Sequence, residues 1–471
     1  MATNVSFGGN LNTVVGGLSP YLQDLVQTGF LERYLEIGLN SVLGYNRLSM
    51  REQIPNGVGE SVTKSKFGRK PPVTRPINPS FMSSFDSGLQ PSSYQTEQYS
   101  YIMQPYGDSA DVNLLQAEVQ IADQLKAFSY NNGVQAAQSL DRIAKLKLFA
   151  AYDTGNTFAT ATGSTTSVHV DDIRGFQTVI YNGRPTAVTA GTPLNCVEIS
   201  ATTGQQVQTF SVTAAVADSV NTSIFPSSDP LNFVSDGISG TLTIVATSAP
   251  QVGNAIVSTQ AATIIRPNAR VTTTALTGAD IISMGTIFDS VTQLRNNAVP
   301  PMPSGNYECT LSNTSLRQLF ADQDFKVLYA GRDQSMEFKA FDIIQMFGVT
   351  FVPNTEAYQQ SPATDGSVTL NVKVDRPIVS GEGTILRGDF EGLTTWLNKE
   401  GVNPVGSVML VDGIAQVLRP PMDRLQTTVS LSWMWVGDYA VPTDLTATPS
   451  IIPTASSAAF KRSVVIEHAS S

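Results

Sequence analysis

The stretch TKSKFGRKPPVTRP, residues 63–76, is the most distinctive segment of the sequence. It concentrates positive charge without an acidic residue between, in a chain whose formal net charge is −10. Its basic residues are Lys64, Lys66, Arg69, Lys70 and Arg75. The prolines and glycines around them exclude a helix, because proline removes a backbone donor and clashes with the preceding turn. A basic segment in an otherwise acidic chain therefore calls for a functional explanation.

The basic stretch lies within a longer segment, residues 45–98, that lacks helical periodicity. Loops of this length are uncommon inside compact domains. The patterns ESVTKSKF (60–67) and SYQTEQYSYIMQ (93–104) predict two strands of one long hairpin. With about 25 residues per strand at ~3.3 Å each, the tip would lie up to ~80 Å from the base. A compact body would be only about 50–60 Å across. An extended arm therefore has to leave its own subunit.

The composition of the 471-residue chain predicts a folded protein of two or three domains, with 41% hydrophobic and 14% charged residues. No secretion signal is recognisable, and no apolar run approaches the roughly 18 residues that a membrane span needs. Cys196 and Cys309 form no disulfide or zinc pattern and are predicted to be small buried hydrophobes. These features predict a protein that is made and kept in a cytosol-like compartment.

Helical periodicity flanks the arm on both sides. Residues 18–44 read as an amphipathic helix that starts at Ser19 and Pro20. From Asp111 onward a long helix is predicted, packed through one apolar stripe. The stripe consists of Val134, Ala137, Leu140, Ala144 and Leu148, and the residues predicted to lie off it are Asp141, Arg142, Lys145 and Lys147.

The middle and end of the chain predict an α+β domain interrupted by an insertion. Residues 158–275 contain few charges and no lysine, and their Thr/Ser/Val pattern predicts a small inserted β-sandwich. A capping-box-like start at Thr277 then begins a helix. Further predicted helices are 313–322, 340–348 and 387–401, and further predicted strands are 307–312, 349–354, 423–441 and 462–468.

Residues that carry chemistry are scarce, and no active site is predicted. His169 and His468 are the only histidines and are expected at the surface. No phosphate-binding loop, nucleophile elbow, zinc-binding HExxH or calcium loop is present. The pair Asp171–Asp172 is most simply a turn, with a metal role as a minor alternative. The sequence therefore predicts no enzyme and no catalytic, cofactor-binding or metal-binding residues.

The basic arm admits three interpretations. It is a solvated, disordered loop, or it binds nucleic acid, or it docks onto another copy of the same chain. Binding to nucleic acid is disfavoured because the rest of the chain is more acidic still and only Phe67 supplies an aromatic side chain between the basic ones. An acidic body and a basic arm are complementary, and a contact that is not two-fold generates rings or shells.

Three stretches in the same order along the chain resemble a known family. The stretch 100–115, SYIMQPYGDSADVNLL, looks like a return strand that ends in a turn at Tyr106, Gly107 and Asp108 before a long spine helix. The stretch 294–322 resembles a helix, proline turn, strand and short helix, and 423–439 with 462–468 resembles paired closing strands. Together they are similar to the major capsid proteins of tailed bacteriophages, which share the Hong Kong 97-type capsid fold.

The resemblance implies a division of the chain into parts. These are an N-terminal arm (1–44), an extended β-hairpin loop (45–98), a peripheral domain with the spine helix (99–157), the inserted β-rich domain (158–275), an axial domain (276–415) and closing strands of the peripheral domain (416–471). Two departures concern local features. A His-Pro pair common in relatives near Ser312–Asn313 is missing, and the insertion has no counterpart in the smallest members.

The function implied is mechanical. Copies of the chain would form hexamers and pentamers of an icosahedral head shell around double-stranded DNA, without sequence-specific binding and without a membrane. Lys64, Lys66, Arg69, Lys70 and Arg75 would contact a neighbouring subunit. Separate scaffolding, portal and decoration proteins are expected partners, no cofactor is expected, and the location would be the virion after assembly in the host bacterial cytoplasm. An encapsulin-like compartment and another β-rich virion protein, from a tail or decoration, remain the alternatives.

Overall fold

A computed structural model describes the greater part of the chain. The described residues are 30–40, 44–55, 59, 61–67, 70, 72–74, 76, 96–113, 121–181, 184–224, 237–324, 326, 344–346, 348–393, 407–419, 428–442 and 461–470. The chain divides into two compact units, each assembled from separate parts of the sequence. The first unit comprises Met1–Val62, Tyr101–Lys147 and Ile385–Ala440, and the second comprises Thr63–Ser100, Leu148–Thr384 and Val441–Ser471.

The described elements are of mixed α and β type. The helices are α1 (Phe30–Asn40), α2 (Ile121–Tyr152), α3 (Met284–Asn296) and α4 (Asn313–Ala321). The strands before residue 300 are β1 (Ser49–Ile54), β2 (Ser61–Phe67), β3 (Thr96–Ile102), β4 (Gln104–Asn113), β5 (Asn156–Phe158), β6 (Ser167–Val170), β7 (Thr178–Tyr181), β8 (Arg184–Ala187), β9 (Leu194–Ile199), β10 (Gln206–Ala217), β11 (Gly240–Val245), β12 (Ala255–Ser258) and β13 (Ile264–Ile265). The later strands are β14 (Tyr307–Leu311), β15 (Ile344–Met346), β16 (Val349–Pro353), β17 (Gln359–Gln360), β18 (Ala363–Asp365), β19 (Val368–Leu370), β20 (Val374–Asp375), β21 (Ile378–Ser380), β22 (Ile385–Phe390), β23 (Ser407–Val411), β24 (Ile414–Arg419), β25 (Thr428–Ala440), β26 (Ser463–Ile466) and β27 (His468–Ala469). Among these helices, none is long and apolar enough to cross a lipid bilayer.

The first unit is built on one mixed sheet with the strand order β1-β22-β25-β24-β23, and β4 also pairs with β25. Buried and half-buried residues alternate along the first part of β25, as the period-2 pattern of the sequence predicted. Trp435 and Leu431 from this strand are fully buried. The expected long strand is therefore confirmed, and it forms the centre of the sheet.

Helices α1 and α2 approach each other closely at two glycines. A Cβ atom on Gly38 would lie 2.4 Å from the backbone oxygen of Tyr130, and one on Gly133 would lie 2.5 Å from that of Leu35. The hydroxyl of Ser129 also donates to the backbone oxygen of Leu31 over 2.7 Å. Because no side chain separates the two backbones, α1 is fixed against α2 at this point.

The predicted inserted domain contains a sheet that closes on itself rather than a sandwich. Its strands follow the order β5-β12-β9-β10-β11-β6, and the two ends are joined by a bridge between Ala159 and Val170. The amide of Thr160 donates to the oxygen of His169 over 3.1 Å beside this bridge. Buried apolar side chains, among them Phe210 and Leu242, fill the interior. The β-rich character is confirmed, and the closed sheet replaces the expected pair of packed sheets.

The second unit contains another six-stranded sheet, of order β13-β26-β21-β14-β16-β15. Helices α3 and α4 contribute to its core, which includes Leu294, Leu319 and Phe351. Ser283 caps α3 and forms a capping box with Thr286. The predicted strands at β14 and β16 and the predicted helix at α4 are confirmed, whereas the expected cap at Thr277 lies a turn and a half too early.

Four secondary-structure predictions and one predicted strand pairing are wrong. Residues 106–108 are not a turn but part of β4, and the helix expected from residue 111 is still strand to residue 113, because β25 offers a complete pairing partner. Ile344–Met346, predicted helical, is a strand on β16, since a short apolar run does not distinguish the two states. Arg387–Phe390 likewise belongs to β22. The closing strands β25 and β26 are in different sheets and do not pair.

Several polar residues predicted at the surface are buried. Asp141 and Lys145, expected outside the apolar stripe of α2, are 2% and 1% exposed. Asp141 accepts a hydrogen bond from the backbone N–H of Asn46 over 2.9 Å, which satisfies one of its oxygens. His468 is fully buried because Ser315 and a backbone oxygen contact its two ring nitrogens. The stripe itself is confirmed from Ala137 onward.

Candidate assembly surface

The predicted hairpin is present, because β2 and β3 form a two-stranded sheet of their own. Exposed and half-buried residues alternate along β2, which places Lys64 and Lys66 together on its half-buried face. Phe67 follows on the other face and is 64% exposed, and Val73 beyond it is 87% exposed. The arm thus presents apolar side chains beside basic ones, a combination suited to contact with another protein surface.

The structure tests only part of the basic cluster. Lys64 and Lys66 share one face of β2, and Lys70 is exposed beyond the end of that strand. Arg69 and Arg75 lie outside the described residues. Their expected role in contacts between subunits therefore stays a prediction.

The base of the hairpin is anchored in the sheet of the first unit. Tyr101 is fully buried, and its hydroxyl donates to Oε2 of Glu52 on β1 over 3.0 Å. Its ring lies over Gly388, where a Cβ would come within 2.9 Å of the ring. The backbone N–H of Ile102 donates to Oδ2 of Asp438 over 2.9 Å. An arm that is rigid at its base can be presented to a partner at a smaller entropic cost.

Asp438 is the second acidic residue of this anchor, beside Glu52. Burial raises its pKa, and the attraction of Lys147, whose Nζ lies 3.5 Å from Oδ1, acts in the opposite direction. The backbone N–H groups of Ile102 and Tyr439 also donate to it. The carboxylate therefore holds the returning strand of the hairpin through directed hydrogen bonds rather than through an exposed ion pair.

Tyr106, Gly107 and Asp108 have a pairing role. They lie opposite Trp435, Met434 and Trp433 in the β4–β25 ladder. The ring of Tyr106 stacks on Trp435 with centroids 5.6 Å apart. Asp108 accepts a 2.6 Å hydrogen bond from Gln135 of α2, which lowers the pKa of its carboxyl. The motif therefore joins the strand to α2, although it is not the expected turn.

One arrangement resembles a hydrolytic site without being usable as one. His169 contacts Thr160 through Nδ1 and Asp218 through Nε2, the latter over 2.7 Å. Thr160 is fully buried, so its hydroxyl has no access to a substrate. Cys196 and Cys309 are buried, as predicted, and burial raises the pKa of both thiols well above the usual range, which keeps them protonated.

Asp171 and Asp172 have structural partners among the described residues. Asp172 pairs with Arg174 over 2.7 Å, and Asp171 accepts the backbone N–H of Ile224 over 2.8 Å. Burial, with Asp172 nearby, raises the pKa of Asp171. Within the described ranges, no group of three or more His, Cys, Asp or Glu side chains is arranged to hold a metal ion.

Sequence reasoning missed the anchoring residues of the arm. Tyr101 and Glu52 are far apart in sequence, and nothing local to either indicates their contact. Gly388 would signal such a contact only within a predicted strand, where a glycine often marks the close approach of another group, but the sequence predicts a helix there. The predicted basic residues lie on the arm, whereas the residues that orient it lie at its base.

No protein-family model matches the sequence, and no curated protein matches it. Among solved structures, the capsid of Ralstonia phage GP4 is similar at 11% identity and a TM-score of 0.46, over 91% of this chain and 88% of that one. The capsid of cyanophage P-SCSP1u has 9% identity and a TM-score of 0.41, over 90% and 87%. That of cyanophage Pam1 has 8% identity and a TM-score of 0.42, over 90% and 89%. These three similarities are to capsid structures, at 11% identity or less.

Proposed function

We propose that this chain is a major capsid protein that self-assembles into the icosahedral head shell of a tailed bacteriophage. The observation that carries the proposal is the hairpin of β2 and β3. It carries lysines and exposed apolar side chains, and its base is held by partly buried hydrogen bonds to Glu52 and Asp438. A rigidly anchored arm of this composition serves contact with another subunit better than it serves the stability of its own.

The parts of the chain are assigned roles accordingly. Residues 1–44 form the N-terminal arm, 45–98 the extended loop, 99–157 the peripheral domain with its spine helix, 276–415 the axial domain and 416–471 the closing strands. The inserted domain is best drawn from Asn156 to Ser258, because β5 and β12 pair at these ends. The segment 259–275 then belongs with the axial domain, since β13 pairs with β26.

In this proposal, assembly is driven by the total surface area buried between subunits rather than by single strong contacts. Obligate interfaces bury about 2,000–5,000 Å² per pair, and repetition around each copy makes the assembled state dominate. Solvent-exposed ion pairs formed by the arm's lysines contribute at most ~1 kcal/mol each. Their role is to select the docking register, and burial of apolar side chains such as Phe67 supplies most of the free energy.

The role proposed is structural and not enzymatic, and the shell encloses double-stranded DNA without reading its sequence. The partners are other copies of the chain in hexamers and pentamers, with separate scaffolding, portal and decoration proteins. The chain belongs to the virion and reaches it from the host cytoplasm. An encapsulin-like compartment would differ by enclosing protein cargo instead of a genome.

Electron microscopy of the purified protein tests the proposal. Closed shells of uniform size are expected, and nuclease-resistant DNA inside native particles separates a phage head from a cargo compartment. A monomer under every condition that favours association would contradict the proposal.

The arm is tested by reversing its charge. Lys64→Glu, Lys66→Glu, Arg69→Glu and Lys70→Glu in one variant should leave a folded subunit that does not form closed shells. The matched control replaces the three lysines by arginine, which keeps the charge and should assemble normally. Sedimentation and circular dichroism distinguish an assembly defect from a folding defect. Normal shells from the reversed variant would remove the docking role of the arm.

A further inference from the structure

Residues 461–470 occupy a slot in the second unit. Strand β26 lies between two other strands, parallel to β13 and antiparallel to β21. All four of its residues are buried. Beyond it, β27 pairs antiparallel with β20. The backbone of the segment is thus hydrogen-bonded on both sides, as for a peptide added to a sheet.

The side chains of the segment are recognised on one face by the helices. Val464 and Ile466 enter the core shared with α3 and α4. His468 points the same way, and its Nε2 lies 2.8 Å from Oγ of Ser315. Its Nδ1 faces a backbone oxygen over 3.0 Å and must therefore donate to it. Ser312 donates to Asp375, which lies opposite His468 in the β20–β27 ladder, over 2.5 Å.

The other face is recognised through charge. Oε1 of Glu467 accepts a 2.7 Å hydrogen bond from Nε of Arg376, and Oε2 accepts one of 2.6 Å from Nε of Arg266. Thr273 adds a third donor over 2.8 Å. Glu467 is fully buried, and charge-assisted bonds at such depth are strongly directional. A slip of the strand by one residue would place Glu467 beside Asp375 and break these contacts.

The ends of the segment are held as well. Nζ of Lys461 donates to the backbone oxygen of Ala261 over 2.6 Å, and Nη1 of Arg462 donates to that of Glu382 over 2.8 Å. At the far end, the backbone N–H of Ser470 donates to the oxygen of Lys373 over 2.7 Å. Thr384 adds a donor to the backbone oxygen of Arg462 over 3.1 Å. The covalent link from the preceding strand β25 to the segment runs through residues 443–460, which lie outside the described ranges.

We propose that the slot formed by β13, β20, β21, α3 and α4, together with Arg266 and Arg376, is a peptide-binding site. Its ligand is an extended strand of this chain's own sequence, residues 461–470, which is recognised through Glu467 and His468. The segment acts as a latch: it closes the sheet by binding and is separable from the rest of the fold. The site selects for a buried carboxylate that binds Arg376, followed by an imidazole at the position opposite Asp375.

The experiment uses the full chain with a protease recognition sequence placed within residues 443–460. The folded protein is cut there, and native mass spectrometry reports whether the 461–471 fragment stays bound. A fluorescent peptide of residues 461–470 is then added, and its incorporation is followed by anisotropy. We expect the fragment to be retained after cutting and to be exchanged for the labelled peptide.

Peptide variants test recognition without any risk to folding of the protein. A peptide with Glu467→Gln should bind at least tenfold more weakly than the natural sequence. The matched control is Ser470→Ala, which should bind like the natural peptide because Ser470 is held through its backbone N–H. Equal binding of the Gln peptide would overturn recognition by charge. Two results would overturn the latch. In the first, the cut fragment exchanges only at urea concentrations that unfold the rest of the protein. In the second, the fragment is lost as soon as the chain is cut and the labelled peptide does not bind in its place.

Discussion

Arg376 and Glu467 form a buried ion pair in which Nε lies 2.7 Å from Oε1. Both side chains are almost completely excluded from solvent, and the ring of Tyr358 lies 4.4 Å from the guanidinium carbon. Burial opposes ionisation of Glu467, but Arg266 and Arg376 outweigh it and lower its pKa to about 2. The pair is therefore charged on both sides at neutral pH, and neither partner can be removed without leaving a buried charge.

Replacing Arg376 by methionine should destabilise the protein by about 3–5 kcal/mol, because Glu467 and Asp153 would lose their shared cation. Urea unfolding followed by tryptophan fluorescence at pH 7 measures the change. Arg295→Met is the control, since Arg295 is exposed in the last turn of α3 and should change stability by under about 0.5 kcal/mol. Equal effects of the two variants would mean that the buried pair is energetically neutral.

Asp153 should make stability depend on pH. Burial raises its pKa to about 7 and outweighs the attraction of Arg376, whose Nε lies 3.2 Å from Oδ2. Between the unfolded value near 4 and about 7, the folded state holds a proton that the unfolded state has released. The contribution of Asp153 to stability therefore falls as pH rises through this window and is constant above it.

The variant Asp153→Asn tests this sign, because the amide mimics the protonated form at every pH. Its stability relative to the natural protein should rise between about pH 4 and pH 7, by up to about 4 kcal/mol, and then level off. Urea unfolding at half-unit steps of pH measures the difference. A difference that stays constant across the window would show that Asp153 is ionised throughout.

The contact between α1 and α2 should not tolerate a methyl group. Gly133→Ala would place a carbon 2.5 Å from the backbone oxygen of Leu35, so the helices must separate. We expect a loss of about 1–3 kcal/mol. Gly278→Ala is the matched control, because nothing lies within 4 Å of its added Cβ. Thermal unfolding of the two variants would contradict the prediction if their midpoints were the same.

We expect that the predicted inserted domain can be deleted at the boundaries seen in the structure, but not at the boundaries 158–275 predicted from the sequence. The N–H of Ser258 donates to the oxygen of Gly155 over 2.8 Å, so a linker of a few glycines can join them. Deleting residues 156–257 in this way should leave a soluble, assembling protein. Deleting 158–275 should not, since it also removes β13 and Arg266, which hold β26 and Glu467. Solubility and electron microscopy of both deletions decide the matter.

Strong local patterns were enough to predict several elements. The alternation in β25, the apolar stripe of α2 and the two strands of the hairpin follow from periodicities of 2 and 3.6 residues. The anchoring and latch contacts could not be found this way. Arg376 meets Glu467 because β20 and β21 pair with β27 and β26, and Tyr101 meets Glu52 although β3 and β1 do not pair. Single-sequence periodicity carries no information on either contact.

The errors have a common physical origin. The family resemblance implies a turn at residues 106–108 and the local pattern predicts a helix from residue 111, yet β25 provides a full ladder for residues 104–113. His468 and Lys145 were placed at the surface by the average behaviour of their residue types, which tertiary contacts override. The five basic residues were recognised by charge alone, and the structure adds for Lys64 and Lys66 that they share a face.

The bridge between Ala159 and Val170 affects how this sheet behaves when many copies of the protein lie close together. An open sheet offers rows of unsatisfied amide groups on which foreign strands can nucleate, and that hazard grows when many identical copies are held side by side. Joining its first and last strands removes both rows at once. In this sheet the first and last strands are therefore not left as open edges on which a strand of a neighbouring molecule could pair.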